Sequence, residues 1–309
     1  GRYADAQAAY EQGLTIVQEI GESTSELAIQ GQLGTLALVQ GNLAEAKQRY
    51  QTALAIFQRF HDPTHEAIAW HQLGVVYQRA KQWEEAEHAY RQSANIEDAQ
   101  GNLPGAAKTW NQLAIITKKM GKLADAKAWY RKAIEVHKQL ENSKELARGL
   151  SNLADILQTQ PDLLAEAQQL AEQALVIKKN LDPATAEIWT TYGILEDIAD
   201  KQGNTQESKK HRRLAREAKA NFAGTRYELK QVHSELILAV ARGENVETVL
   251  EDYGEEYCEN IKITIQQILA GERDVDKLCE PLTFYDAPII TAIIEGIERP
   301  SSLKWFEER

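Results

Sequence analysis

Cysteine, proline and glycine are scarce in this chain, whose 309 residues include 2 Cys, 7 Pro and 18 Gly. The two cysteines, Cys258 and Cys279, are too few for a disulfide framework or a four-cysteine metal site. Their scarcity favours a reducing compartment, and we therefore expect a cytoplasmic protein. The shortage of glycine and proline favours a helix-rich, well-packed protein over a disordered or all-β one.

Long apolar runs and an excess of positive charge are also lacking. No apolar run approaches the roughly 20 residues that a transmembrane helix needs, and no signal peptide is visible. The net charge of −11 argues against broad binding to nucleic acid or to membrane surfaces, so neither is expected as a partner. The chain starts at Gly1 without a methionine, as a piece of a longer protein would.

What the chain does contain is a pattern that recurs every 40 residues. Each copy has a leucine followed by a small residue, then an alanine, then a tyrosine. The leucines are Leu33, Leu73, Leu113 and Leu153, the alanines are Ala46, Ala86 and Ala126, and the tyrosines are Tyr50, Tyr90 and Tyr130. A further copy follows Pro161 and a looser one centres on Leu195, while the first residues of the chain fit only the second half of a copy. A fixed period of this length is typical of a repeat architecture.

Each copy predicts two helices. The first should end near Gly41, Lys81 or Gly121, where a left-handed residue can stop a helix. The second carries apolar residues at helical spacing, and the recurring small residues allow two helices to cross closely. One helix pair cannot bury both of its faces, so neighbouring pairs should stack.

The residues of one copy resemble the tetratricopeptide repeat. The matching residues are Trp70, Leu73, Gly74, Tyr77, Ala86, Tyr90 and Ser93. The resemblance covers residues 1–222 and implies an all-α, right-handed superhelical solenoid of about five helix-turn-helix repeats, the first preceded by a lone second helix. The 40-residue step is similar to the longer form in Pins/LGN-type scaffolds and in sensor regions of bacterial and cyanobacterial signalling proteins. For function, it implies binding of a peptide or a protein.

Catalytic and metal-binding interpretations find little support. His71 and His88 lie on different helices of one repeat, and no cysteine or serine nucleophile recurs near them. His61 and His65 flank a loop without a third metal ligand. Neither a phosphate-binding P-loop nor a dinucleotide-binding glycine motif is present. We therefore expect no enzyme activity, no cofactor and no metal site.

Amide side chains occupy one recurring position, directly before the leucine of each repeat. They are Gln32, Gln72, Gln112 and Asn152. The resemblance implies that this position lines the concave groove of the solenoid. An amide both donates and accepts hydrogen bonds, so a ladder of amides could bind the backbone of an extended peptide. The alternative is that amides are simply tolerated on a solvated surface.

Basic residues recur at two further positions. Lys108 and Arg148 share one of them, and Arg79 and Lys119 share the other. The resemblance implies that both positions face the groove, which favours an acidic or carboxylate-bearing peptide as partner. The alternative is that these cations are solvated or paired within the chain. Trp70 and Trp110 share another position and are predicted to be core residues.

The segment 223–309 departs from the repeat and is acidic, with 9 Lys+Arg and 18 Asp+Glu. Apolar residues at helical spacing predict an all-helical module, with helices ending at Gly243 and Gly271 and others starting at Asp274 and Asp286. It could cap the last repeat or form a separate partner site. Its acidic residues could also pair with the basic positions of the repeats.

These features predict a non-enzymatic scaffold that binds a peptide or partner protein in a concave groove. One alternative is a sensor or regulatory region of a larger signalling NTPase or protease, whose catalytic domain is absent from this chain. Another is self-association through an exposed N-terminal helix.

Overall fold

A computed structural model describes residues 2–21, 23–182, 186–252, 259–283 and 286–307, and all regular secondary structure in these ranges is helical. The α-helices are α1 (Arg2–Ile20), α2 (Ser23–Val39), α3 (Leu43–Arg59), α4 (Pro63–Arg79), α5 (Trp83–Ala99), α6 (Leu103–Lys119), α7 (Leu123–Gln139), α8 (Ser143–Leu157), α9 (Leu164–Lys179), α10 (Ile188–Lys201), α11 (Thr205–Ala220), α12 (Ala223–Val232), α13 (Ser234–Arg242), α14 (Val246–Asp252), α15 (Glu259–Leu269), α16 (Val275–Cys279), α17 (Ala287–Glu298) and α18 (Lys304–Glu307). Short 3₁₀ helices span Pro161–Leu163 and Pro300–Leu303. The predicted all-α fold is confirmed.

The chain forms two compact units, residues 1–156 and residues 157–309. Four predicted first helices, α2, α4, α6 and α8, begin in the first unit, together with their predicted second helices α3, α5 and α7. The predicted boundary between residues 222 and 223 falls inside the second unit, and a separate C-terminal module stays a prediction.

The 40-residue step is visible in the helix boundaries of the first unit. Helices α3, α5 and α7 start at Leu43, Trp83 and Leu123, and each is 17 residues long. The preceding turns hold Gly41, Lys81 and Gly121 at φ of 79°, 59° and 76°. The predicted left-handed helix stops are therefore confirmed.

Close helix crossing explains the small residue after each leucine. A Cβ atom built on Gly34 would lie 2.9 Å from the Tyr50 ring, and one built on Gly74 would lie 2.6 Å from the Tyr90 ring. A methyl group at Gly34 or Gly74 would therefore require the tyrosine ring to shift, whereas the next repeat has Ala114 at this position and still buries Tyr130. The recurring glycine and tyrosine are two sides of one packing contact.

The first helices of residues 2–156 form one layer and the second helices form another. Between first helices, Arg79 Nη1 donates to the Leu38 carbonyl at 2.9 Å, and His71 Nδ1 lies 2.9 Å from Thr109 Oγ1. Between second helices, Lys132 Nζ lies 2.8 Å from Asp98 Oδ2. The layer of first helices and the layer of second helices therefore have separate outer surfaces.

In the second unit, the helices after α11 bury a core rich in isoleucine. Its most buried members are Leu236, Ile237, Ile265, Leu278, Ile290 and Ile293. Gly243 and Gly271 have φ of 69° and 102°, which confirms the predicted helix ends. Asp274 caps α16 by accepting from the Asp276 and Lys277 amides at 3.0 and 3.2 Å.

One acidic residue of the C-terminal segment, Asp276, pairs with an arginine of α11, and pairing with the basic positions Arg79, Lys108, Lys119 and Arg148 stays a prediction. The buried guanidinium of Arg216, on α11, forms an ion pair with Asp276. Burial raises the pKa of the neighbouring Cys279 thiol to about 11. Cys258 lies outside the described residues.

Candidate functional site

Each first helix of residues 2–156 buries most of its circumference and leaves one stripe open. On α4 the buried residues are Ala67, Ala69, His71, Leu73, Gly74 and Val76. The open stripe follows the spacing i, i+4, i+7, i+11, which lies along one side of a helix. We call these stripes together the first-helix face; its members are Ala28, Gln32, Thr35 and Val39 on α2, Ile68, Gln72, Val75 and Arg79 on α4, Lys108, Gln112, Ile115 and Lys119 on α6, and Arg148, Asn152 and Asp155 on α8.

All eight residues predicted as binding residues lie on the first-helix face. Among the amides, Gln32 is exposed, whereas Gln72, Gln112 and Asn152 are half-buried. Asn152 hydrogen-bonds the buried hydroxyl of Tyr130. Within the described ranges, the three glutamine amides have no hydrogen-bond partner. Three amides of the predicted ladder are thus free to bind a ligand, and the fourth is already engaged.

The four predicted cations differ in their surroundings. The Arg79 guanidinium donates to the Leu38 carbonyl at the C-terminal end of α2, where a helix accumulates partial negative charge. Arg148 forms an ion pair with Glu145 on its own helix. Among the residues that the structure describes, Lys108 and Lys119 have no ion pair. Arg79 therefore connects neighbouring repeats, and the two lysines are the cations left for a partner.

The lysine next to Lys119 is not available in the same way. Lys118 forms an ion pair with Asp155, a residue of the first-helix face on α8. This pair joins two first helices and neutralises one positive and one negative charge on the surface. The sequence showed two adjacent lysines without indicating that only one would stay unpaired.

A buried polar network lies beneath Lys108. Thr109 Oγ1 donates to Glu97 Oε2 at 2.8 Å and lies 2.9 Å from His71 Nδ1, and Ser93 Oγ reaches the same carboxylate at 3.4 Å. Burial, together with the charge of Lys108, lowers the pKa of His71 to about 4. Burial raises the pKa of Glu97. His71 is therefore a neutral, packed histidine, and the sequence did not predict the network around it.

A second buried pair occupies the corresponding place one repeat on. Asn111 Nδ2 lies 3.1 Å from His137 Nε2, and burial lowers the pKa of His137. Asn111 is the 40-residue counterpart of His71, and His137 is the counterpart of Glu97. The only sequence signal for either network was the recurrence of a polar residue at these otherwise buried positions.

The histidines singled out in the sequence occupy different surroundings. His71 is buried against Thr109 and Tyr90, whereas His88 is exposed and lies edge-on to Trp70, 5.7 Å between ring centroids. His65 lies in the first turn of α4, where its Nδ1 is 2.7 Å from Oδ2 of the N-cap residue Asp62. Across the described ranges, no group of three or more histidine, cysteine, aspartate and glutamate residues could hold a metal ion. Across the same ranges, no helix has the length and apolarity needed to cross a membrane.

The two tryptophans predicted as core residues are placed differently. Trp110 is buried, and Lys132 Nζ lies 3.8 Å from the centroid of its ring. Trp70 is half-buried and lines a pocket of about 380 Å³ between α3, α4 and α5. The core prediction is thus confirmed for Trp110, and Trp70 keeps part of its ring exposed.

The geometry of stacked helix pairs agrees with a comparison with protein families. The model of the tetratricopeptide repeat family matches residues 25–97 and 105–180. This chain is a tetratricopeptide-repeat protein. Such repeats serve protein–protein interaction, and the fold is typically a non-catalytic scaffold. Among curated proteins, no sequence matches the chain.

Solved structures share the fold of this tetratricopeptide-repeat protein at low sequence identity. BtubC (BKLC) from P. vanneervenii has a TM-score of 0.62 at 22% identity, over 71% of this chain and 92% of that one. The apo form of RapI has a TM-score of 0.61 at 18% identity, over 94% of this chain and 81% of that one. A signal transduction ATPase with a tetratricopeptide repeat sensor, from Pyrococcus horikoshii, has a TM-score of 0.63 at 17% identity, over 69% of this chain and 33% of that one.

Proposed function

We propose that this tetratricopeptide-repeat protein is a non-enzymatic scaffold that binds an extended, acidic segment of a partner protein along its first-helix face. The observation that carries the proposal is the combination of unpaired groups on that face. Gln72 and Gln112 are free amides at the same repeat position, and Lys108 and Lys119 are free cations on the same helix. Amide side chains can hydrogen-bond the backbone of a peptide whatever its side chains are, and the lysines favour acidic side chains.

The surroundings of the lysines make α6 the centre of the proposed site. Lys108 and Lys119 are 11 residues apart, which corresponds to about 16 Å along an α-helix. Ile115 lies between them on the same stripe and is half-buried. A partner crossing α6 would therefore meet an apolar contact flanked by two positive charges. Arg79 and Arg148 are secondary candidates because each already has a partner within the chain.

A charge-reversal experiment tests the acidic partner. The full chain is used to capture a partner from the native organism, and the affinity of the captured segment is measured by calorimetry at low and high salt. We expect Lys108→Glu with Lys119→Glu to weaken binding by about tenfold at low salt, because exposed charge pairs contribute up to about 1 kcal/mol each. The loss should shrink at high salt, where exposed charges are screened.

The control changes the same net charge elsewhere. Arg59 and Lys138 are exposed residues of the second helices α3 and α7, so Arg59→Glu with Lys138→Glu should leave the affinity unchanged. Equal losses in both double variants would show that net charge alone matters. Unchanged affinity in the Lys108 and Lys119 variant would rule out the basic part of the site.

A sensor region of a larger signalling protein is a second candidate function. It is supported by the similarity to the signal transduction ATPase, a protein with a tetratricopeptide repeat sensor, in which the matched part is one third of the chain. The full gene tests it. An NTPase or protease domain in the same reading frame would support a sensor, and a frame containing repeats alone would contradict it.

We also propose self-association through α1. Ile16 and Ile20 lie one turn apart on this helix and are 58% and 66% exposed. Two neighbouring exposed isoleucines form an apolar contact that a second copy could cover.

A further inference from the structure

The pocket beside Trp70 opens on the other side of the helix layers from the first-helix face. Its volume is about 380 Å³. Its floor is the side of α4 that carries Trp70, Leu73 and Tyr77, and its walls are Gln51 and Leu54 of α3 and Glu84, Glu85 and His88 of α5. Trp70 and Gln72 are two residues apart, and two steps of about 100° place them on nearly opposite sides of α4. The pocket is therefore separate from the proposed peptide site.

One repeat further along, the counterpart of Trp70 already holds a cation that belongs to the chain. Lys132 Nζ lies 3.8 Å from the centroid of the Trp110 ring and 2.8 Å from Asp98 Oδ2. A cation over a tryptophan face is attracted by the ring quadrupole, and the carboxylate adds a charge pair. The 40-residue counterpart of Lys132 is Gln92, which has no charge. Trp70 thus lacks the cation that Trp110 has.

A second cation of the chain lies in the same groove between α5 and α7. The Arg91 guanidinium lies 5.3 Å from the centroid of the Trp129 ring, and its Nη2 lies 3.9 Å from Asp125 Oδ2. The counterpart of Arg91 is Gln51, which lines the pocket beside Trp70. The counterpart of Asp125 is Glu85, which lines it as well. At these two positions the earlier groove therefore has the carboxylate without the cation, and its own cation is Lys47, the counterpart of Glu87.

The carboxylates of the pocket are left without basic partners. Within the described residues, neither Glu84 nor Glu85 forms an ion pair. Lys47 extends over Tyr77, with its Nζ 5.1 Å from the ring centroid, so one aromatic ring of the pocket already accepts a cation from the chain. No cation lies over the Trp70 ring among the described residues. The pocket thus combines a half-buried Trp70 ring, which His88 contacts edge-on and which no cation covers among the described residues, with two carboxylates that form no ion pair there.

We propose that this pocket binds an arginine or lysine side chain of a partner protein. The aliphatic part of the side chain would pack on Leu54, Leu73 and Trp70, and its cation would meet the Trp70 ring and the carboxylates of Glu84 and Glu85. An acidic occupant would be repelled by the two carboxylates, and an apolar one would cover them without pairing them. This second site uses another surface and the opposite charge from the proposed peptide site, so either can fail without the other.

The experiment follows the indole N–H resonance of Trp70 in the ¹⁵N-labelled full chain, assigned with Trp70→Phe. The probes are N-acetyl-arginine amide and N-acetyl-lysine amide, and the controls are the uncharged citrulline and norleucine analogues. We expect saturable shifts with the two cationic probes and none with the controls. Glu84→Gln with Glu85→Gln keeps the shape of the pocket and should weaken binding of the cationic probes by about tenfold.

A reciprocal pair of variants provides the matched control. Gln51→Arg with Gln92→Lys copies the cations of the next repeat into the pocket and should abolish the Trp70 response while the thermal unfolding temperature is maintained. Arg91→Gln with Lys132→Gln removes those cations from the next groove, and the Trp110 indole should then respond to the cationic probes. Circular dichroism verifies that each variant is folded.

Several outcomes would overturn the proposal. Unchanged probe binding after either the glutamate or the Gln51 and Gln92 changes would exclude a cation site. Equal shifts with citrulline or norleucine would indicate a polar or apolar site instead. A Trp70 shift that depends on protein concentration without any probe would show that a second copy of the chain covers the pocket.

Discussion

His71 shows how one buried residue connects the packing of two repeats with the response of the protein to acid. It is 8% exposed, and burial with the nearby Lys108 lowers its pKa to about 4 from an ordinary 6.5. In the unfolded chain the imidazole takes up a proton more readily, so its contribution to stability is complete above pH 6.5 and is lost as the pH falls towards 4. Glu97 acts in the opposite direction, because its raised pKa favours protonation in the folded state.

The stability of the protein should therefore fall between pH 6.5 and pH 4, with a contribution from His71 beside those of His137, His211 and His233, whose pKa burial also lowers. A depression of this size corresponds to about 3 kcal/mol at most. We expect His71→Gln to flatten the pH dependence of the free energy of unfolding, measured by urea denaturation at a series of pH values. His61 is exposed and adopts a left-handed φ of 53°, which asparagine tolerates, so His61→Asn should keep the wild-type slope. Equal slopes in wild type and His71→Gln would contradict this assignment.

At the scale of elements, the second helices share their length and register but differ in how they are capped. The Asn42 side chain accepts from the Glu45 amide at 3.2 Å and caps α3. Its counterpart at the start of α5, Gln82, makes no capping hydrogen bond, although its φ and ψ of −87° and 81° are close to the −79° and 77° of Asn42. The backbone at Gln82 is therefore already placed for a cap that its longer side chain does not make.

Replacing Gln82 by asparagine should stabilise the protein. We expect Gln82→Asn to raise the free energy of unfolding by about 0.5–1 kcal/mol, because an N-cap side chain satisfies a backbone amide that the helix leaves free. Asn42→Ala is the matched reverse change and should lower it by a similar amount. A neutral or destabilising effect of Gln82→Asn in urea denaturation would show that the side chain at this position cannot reach the amide.

At the scale of the whole molecule, charge is distributed unevenly along the chain. Residues 223–309 carry twice as many acidic as basic residues, yet the unpaired lysines Lys108 and Lys119 lie on the first-helix face of the other unit. Within the second unit, Asp276 is already paired with Arg216. The chain is acidic overall, but its own carboxylates form no ion pair with Lys108 or Lys119 within the described residues. An acidic segment of another molecule would therefore meet little competition at these two lysines.

Self-association is best tested on the whole molecule. If α1 binds a second copy, sedimentation velocity should show a mass that rises with protein concentration, and Ile16→Gln with Ile20→Gln should abolish the rise. Val176 is equally exposed at 62% but lies on α9, so Val176→Gln should behave like wild type. A single species at all concentrations in the wild type would exclude association through α1.

Much of the fold was predictable because its signals are local and repeat at a fixed step. Leu73, Gly74 and Tyr90 predicted a helix pair, and the structure packs the Tyr90 ring against Gly74. The position of the eight candidate residues on an open stripe was predictable for the same reason, since helical periodicity sets which residues share a side. Whether a cation on that stripe was free could not be predicted. Arg79 and Lys119 occupy the same repeat position, but only Arg79 reaches a carbonyl of the preceding helix.

The sequence by itself determined the helix pairs, their 40-residue register and the faces they bury, because these follow from side-chain periodicity and from the size of residues such as Gly34 and Gly74. The tertiary structure alone decided which polar groups remain available. Trp70 and Trp110 are identical in register, yet the Trp70 ring is half-buried without a cation over it among the described residues, and the Trp110 ring is buried with Lys132 over it. The physical reason is that pairing between charged and aromatic side chains depends on distances of a few ångströms between separate helices, and a one-dimensional pattern does not contain those distances.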